Sequence, residues 1–168
     1  MPVDPALLPL DEKTPAPAGV WRRGAAFLLD VLVLLPLLGL LGWIWVRLFD
    51  IALPSSTLPL YDYLVQLHLQ GDPLVTGGLL LGATAAGVYF LIGHLLWSTT
   101  VGMRALGLVV VDGRGQIPGV GACMTRVLAA GLSGAYFLLG FVWIAFDNRR
   151  QGLHDKIADT LVIQRKTR

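Results

Sequence analysis

Two long apolar blocks and one interrupted block dominate the chain, with polar stretches between them. The first block, Gly24 to Val46, has 23 residues and a single charge, Asp30. At ~1.5 Å per residue it is long enough to cross a hydrocarbon core of about 30 Å. It predicts a first transmembrane helix over about residues 22–47, closed by the interfacial residues Trp43, Trp45 and Arg47. Pro36 falls inside it; membrane helices tolerate proline where neighbours satisfy the freed carbonyl. The second block, residues 77–97, is uncharged apart from a possible proton on His94 and exits at Trp97. The third, Gly119 to Phe146, carries only Arg126 and is interrupted by Gly131-Leu132-Ser133-Gly134.

The polar stretches read differently. Residues 48–76 form a loop with Pro54, Pro59, Pro73, Asp50, Asp62 and Asp72, within which Tyr61 to Gln70 suits a short interfacial helix. In residues 98–118 a short β-branched run, ALGLVVV, precedes the turn signal Asp112-Gly113-Arg114-Gly115, which predicts a small extended hairpin. Residues 2–19 hold five prolines and four charged side chains and read as a disordered arm. The organisation expected is an arm over 1–19, a membrane domain over 20–163 and a basic tail over 164–168. The fold class is an all-α membrane protein, with two full transmembrane helices, a third broken or re-entrant hydrophobic helix and a short extended cytoplasmic hairpin.

Composition agrees with that class. The chain is 55% hydrophobic and 14% charged, with a mean hydropathy of +0.67, whereas soluble domains run near a quarter charged. The first block is too long for a signal peptide's apolar core, which spans about 7–15 residues, so a retained helix is expected. One cysteine, Cys123, excludes an intrachain disulfide and a zinc cluster; among apolar neighbours it reads as a packing residue. No nucleophile–base set or cofactor motif appears, so neither an enzyme nor a cofactor or metal is expected.

Charge placement sets the topology. The arm and helix start carry Lys13, Arg22 and Arg23; the 48–76 loop carries no Lys or Arg; the 98–118 segment carries Arg104 and Arg114; the tail carries six basic residues. The positive-inside rule places the arm, the second loop and the tail in the cytoplasm of a multi-pass cell-membrane protein. Three simple spans would leave the tail outside. The conflict is resolved if residues 119–146 re-enter, turning at Gly131–Gly134, each half of about 13 residues being too short to cross.

The pattern resembles the RDD family of membrane proteins, named for one arginine and two aspartates. Arg23 matches the family arginine and Asp30 the first aspartate, within helix one. The segment TTVGMRALGLVVVDGRGQ is similar to the family's stretch after helix two, and RRQGLHDKIADTLVI to its closing motif, with Asp155 as the second aspartate beside His154. Arg126 opens the last apolar stretch as a basic residue commonly does there. Met103 stands where the family often has Lys, and Asp159 where Gly is usual. The resemblance implies a role in transport of unidentified ligands, with cation/proton antiport in some members.

A charge in hydrocarbon costs roughly 2.5–3.5 kcal/mol on insertion scales, so Asp30 calls for partners. Arg23 and Asp30 share a helical face roughly 10 Å apart. Asp30 lies on the order of 9 Å below the cytoplasmic surface, level with the part of helix two bracketed by Tyr89 and His94. Arg126 and Asp155 enter from the same side. Two readings follow: Arg23, Asp30, Arg126 and Asp155 form ion pairs that lock three elements together, or Asp30 binds and releases a proton or cation with Arg23 as its modulating partner. His94 suits a helix-end role or a proton relay, and His154 could orient Asp155. Gly78, Gly82 and Ala86 form a small-xxx-small stripe that suits close helix packing within the monomer or a homo-oligomer face. The tail's charges alternate with apolar residues and lack aromatics, which fits anionic lipid headgroups and not nucleic acid. The expected function is transport-related; the alternative is a membrane scaffold that positions partner proteins.

Overall fold

The computed structural model describes residues 17–51, 73–135 and 150–164, together with 59, 61–62, 65, 143–145 and 147. Helix α1 (Val20–Leu48) and helix α2 (Pro73–Trp97) are the first two apolar blocks. Both are long and apolar enough to cross a membrane, and in their most apolar windows only 17% and 11% of residues are buried. A core helix of a soluble protein would be mostly covered; these turn large side chains such as Leu32, Leu35, Leu80 and Ile92 outward. α1 continues unbroken through Pro36. Of the interfacial helix expected over Tyr61–Gln70, residues 61, 62 and 65 are helical and the remainder lies outside the described residues.

After α2 come a five-residue helix α3 (Val101–Ala105), strand β1 (Leu108–Asp112) and helix α4 (Val120–Ala135). A 3-10 turn at Trp143–Ala145, helix α5 (Leu153–Ile157) and strand β2 (Thr160–Gln164) complete the order.

Two expectations need correction. The β-branched run does form a strand, but its partner is not the stretch after the Asp112 turn. β1 pairs antiparallel with β2, with Val110 opposite Val162. The physical reason is burial: Leu108, Val110 and Val162 join Ala18, Ala26 and Met103 in one apolar cluster. The residues after the turn, Gln116 and the exposed Ile117, offer no such face. The second correction concerns Gly131–Gly134. α4 runs through these residues to Ala135, since glycine costs a helix only about 1 kcal/mol and need not end it. Any reversal therefore lies beyond Ala135, and 136–142 are outside the described residues. The 16 described residues of α4 span about 24 Å.

Contacts divide the chain into two units, Met1–Val31 with Tyr89–Arg168, and Leu32–Val88. In the second unit the glycine stripe of α2 meets α1: a Cβ on Gly78 would lie 2.9 Å from Trp45 Cδ1, and one on Gly82 4.0 Å from a Leu38 methyl. Trp45 also donates its indole N–H to the Leu74 carbonyl at 2.8 Å. Gly78 and Gly82 thus face α1 within the chain.

In the first unit the residues leading into α1 meet the last strand. Residues 17–19, assigned by sequence to the arm, are described, and the Ala18 N–H donates to the Val162 carbonyl at 2.8 Å. Pro17 bridges Ile163. The start of α1 and the last strand therefore lie side by side, and every residue of the charged set falls in this unit.

Candidate functional site

Asp30, one helical turn below the small Ala26, is buried on α1 with 1% exposure. Its carboxylate accepts three hydrogen bonds: from the Tyr89 hydroxyl at 2.6 Å, the Thr100 hydroxyl at 2.5 Å and the Gly102 N–H at 2.7 Å. Thr100 is the N-cap of α3 and accepts from the Met103 N–H at 3.2 Å. The Tyr89 oxygen likewise accepts from the Val101 N–H at 3.3 Å. Each hydroxyl is held on one side by a backbone donor, so its own proton is aimed at Asp30. Gly102 makes the approach possible: a Cβ there would overlap the Ala26 carbonyl oxygen and lie 2.9 Å from Asp30 Cγ.

Arg23 does not pair with Asp30. It reaches the opposite way, onto Asp155 of α5. Arg126 of α4 binds the other oxygen of the same carboxylate. The Gly152 N–H adds a 2.7 Å bond to Asp155, which is thereby the N-terminal anchor of its own helix. Asp155 is fully buried, and both arginines are less than a tenth exposed. Other donors of the guanidinium groups go to neutral acceptors. Arg23 bonds the Arg150 carbonyl at 2.9 Å, and Arg126 bonds the Thr160 hydroxyl at 3.0 Å. Buried cations need such partners, because each unsatisfied donor adds to the desolvation cost.

The two histidines complete the arginine shells. His94 is buried on α2, its Nδ1 2.5 Å from the Phe90 carbonyl and its Nε2 3.3 Å from Arg126 Nε. A guanidinium can only donate, so this pair of contacts assigns the proton to Nδ1. His94 is therefore an internal acceptor and not an interfacial cap. His154 Nε2 faces Arg23 at 3.4 Å. Burial, and then the charges of Arg126 and Arg23 and the neighbouring His94, push the His154 ring down to about 2. The ring is neutral, so its 3.5 Å approach to Asp155 Oδ1 is not an ion pair. Nε2 acts as an acceptor for Arg23.

All seven polar residues singled out by sequence thus fall in one unit, but in two arrangements. Tyr89 serves Asp30; Arg23, Arg126 and His154 serve Asp155, with His94 behind Arg126. Among the described residues no Lys or Arg lies within ion-pair distance of Asp30. Thr100, Gly102, Gly152 and Thr160 were not anticipated. The cap signal Thr-Thr-Val-Gly ahead of a short helix could have flagged Thr100. Cys123 is buried and its thiol faces the Pro118 carbonyl at 3.8 Å, in keeping with packing. Asp159, the departure from glycine, has a φ of +49°. Its position demands a left-handed backbone, which aspartate tolerates better than most residues.

Comparison with known proteins places this constellation. Residues 17–159 match the RDD family. The chain is 32% identical over 152 residues to a Bacillus subtilis (strain 168) protein named "Uncharacterized protein YxaI", covering 88% of this chain and 97% of the relative. No solved structure matches it. The family match spans both aspartates, Arg23, Arg126 and strand β1, and the chain belongs to the RDD family of membrane proteins.

Proposed function

We propose that the protein is a small multi-pass protein of the cell membrane with a transport-related role, in which Asp30 exchanges a proton or small cation. The observation that carries this reading is the division between the two carboxylates. Asp155 is held between two arginines, and protonating it would abandon both. Asp30 is held by two hydroxyls and one amide, and can be neutralised without stranding a buried cation. Of the two, Asp30 is the exchangeable group, and the Asp155 cluster is the fixed frame beside it.

Both termini are cytoplasmic in this reading. Support comes from the Ala18–Val162 hydrogen bond, which brings the entry to α1 and the end of the chain to one side. Asp155 also reaches Arg126, early in α4, so the chain comes back to the end at which α4 began. That return supports a re-entrant third element. Exposed Leu153 and Ile157 flanking Lys156 support contact of the tail with the bilayer surface and its anionic headgroups. A bundle of this size requires homo-oligomerisation to enclose a translocation path. The chemistry assigned to it is neither enzymatic nor cofactor-dependent.

A second reading, a membrane scaffold that positions partner proteins, is favoured by a different observation. The amide of Gly102 cannot reverse its hydrogen bond, and backbone donors orient both hydroxyls, so the cage around Asp30 is also a clamp between α1 and α3. Reconstitution in liposomes separates the two. An imposed Na⁺ or K⁺ gradient should drive proton movement through the wild type, and Asp30→Asn should abolish it while retaining normal helicity and insertion. Proton flux absent from the wild type, or unchanged in Asp30→Asn, sinks the transport reading.

A further inference from the structure

Next to the Asp30 cage the first unit contains a cleft of about 260 Å³, whose walls include Tyr89, Ile92, Trp97, Thr100, Val101 and Arg104. Sites that enclose a drug-sized solute run about 300–1,000 Å³, so this one accommodates part of a larger molecule. Its chemistry is two-sided. Ile92, Trp97 and Val101 present apolar surface and are themselves 44%, 59% and 54% exposed. Arg104 is the one charged residue in the wall, it is exposed, and among the described residues no carboxylate lies within ion-pair distance of it. A guanidinium without a counter-ion at the edge of an apolar wall is complementary to a molecule with a phosphate at one end and hydrocarbon at the other. Trp97 closes the apolar helix α2, the level at which tryptophan sits between headgroups and acyl chains.

We propose that this cleft binds one anionic phospholipid, with the phosphate on Arg104 and an acyl segment along Ile92, Trp97 and Val101. The inference rests on the membrane-embedded reading above. Tyr89 and Thr100, two of the three donors to Asp30, stand in the same wall. The bound lipid therefore covers the cage, and its headgroup charge acts on the side from which Asp30 is reached.

The test uses the full chain in vesicles of equal parts phosphatidylcholine and phosphatidylglycerol, with native mass spectrometry of the released protein. Flotation with the vesicles reports the embedded reading on its own; failure to float refutes that reading, not the lipid assignment. The wild type should retain one phosphatidylglycerol per chain in preference to phosphatidylcholine. One cation at an anionic surface supports roughly a fivefold preference. Arg104→Gln should lose the preference, and Ile92→Trp, which fills the cleft while keeping the charge, should lose retention. Arg114→Gln, a change in the exposed turn outside the cleft, should behave as wild type. The proposal is overturned if Arg104→Gln retains the lipid as wild type does, if Arg114→Gln loses it equally, or if Ile92→Trp leaves it in place. Displacement by inorganic phosphate would assign Arg104 to a soluble anion, and a lipid-free dimer would assign the cleft to a second copy. Either result overturns the lipid assignment.

Discussion

Removing the charge of Asp155 should be the most damaging single-atom change in the fold. Asp155→Asn keeps the size of the side chain and turns one carboxylate oxygen into an amide. The carboxylate is fully buried between Arg23 and Arg126, so the substitution leaves two guanidinium charges without their counter-ion. Removing one member of a buried ion pair costs about 3–5 kcal/mol. The lower part of that range applies here, because each guanidinium keeps neutral acceptors: the Arg150 carbonyl and His154 for Arg23, Thr160 and His94 for Arg126. The asparagine oxygen can still accept one bond, while its NH2 group faces a donor. A loss of about 3–4 kcal/mol results. For a chain of this length that lowers the midpoint of thermal unfolding by about 6–16 °C.

The assay is thermal unfolding in detergent micelles followed by far-UV circular dichroism. Arg23→Met, Asp155→Leu and Arg126→Met combined in one chain are the control. Replacing a whole buried ionic group by packed apolar side chains is often neutral or stabilising, so the triple variant should unfold nearer the wild type than Asp155→Asn does. An Asp155→Asn protein that unfolds within about 2 °C of wild type would refute the claim that the triad locks α1, α4 and α5.

Two further outcomes follow from the same geometry. His154 has a folded-state value near 2 against an ordinary 6.5, so the unfolded chain takes up a proton on this ring at pH values where the folded chain does not. Its contribution is complete above pH 6.5 and falls away as the pH drops toward 2. Between pH 6.5 and about pH 4.5 the wild type should lose roughly 2–3 kcal/mol more than His154→Gln, read from denaturant midpoints; equal acid sensitivity of the two proteins would exclude the buried neutral ring. Gly102→Ala inserts a Cβ against backbone atoms that cannot swing aside. It should destabilise by at least the ~1–3 kcal/mol of ordinary overpacking and speed amide exchange at residues 102 and 103, and wild-type exchange there would contradict the close approach.

The long elements were legible because each is set by its own composition. Twenty or more apolar residues closed by interfacial tryptophans specify a helix whatever surrounds them, and α1 and α2 appear where the pattern put them. The sheet was half legible. ALGLVVV specified a strand, but strand pairing is decided by shared burial, and the partner lay some fifty residues downstream in a stretch read as a basic surface tail. Reading the short apolar, β-branched run Leu161-Val162-Ile163 as a strand, and not the tail by its charge, would have found it. The Gly131–Gly134 interruption misled for the opposite reason: glycine permits a turn but does not require one.

The pairing within the charged set follows from the direction of side chains on a helix. Arg23 and Asp30 share a face, and shared faces suggest partners. Yet seven residues place them roughly 10 Å apart, and Cα–Cβ bonds tilt toward the helix N-terminus. Arg23 precedes Asp30, so its long side chain extends away from Asp30, toward the end where α5 docks, and there it meets Asp155. Asp30 also leans toward the N-terminus but is too short to follow; at its level it finds Tyr89, Thr100 and Gly102. With the order reversed, aspartate before arginine, the arginine would lean back over the aspartate and the two would pair. The sequence order of the arginine and the first aspartate therefore separates the two carboxylates: one is surrounded by cations, and the other is left to hydroxyls and an amide.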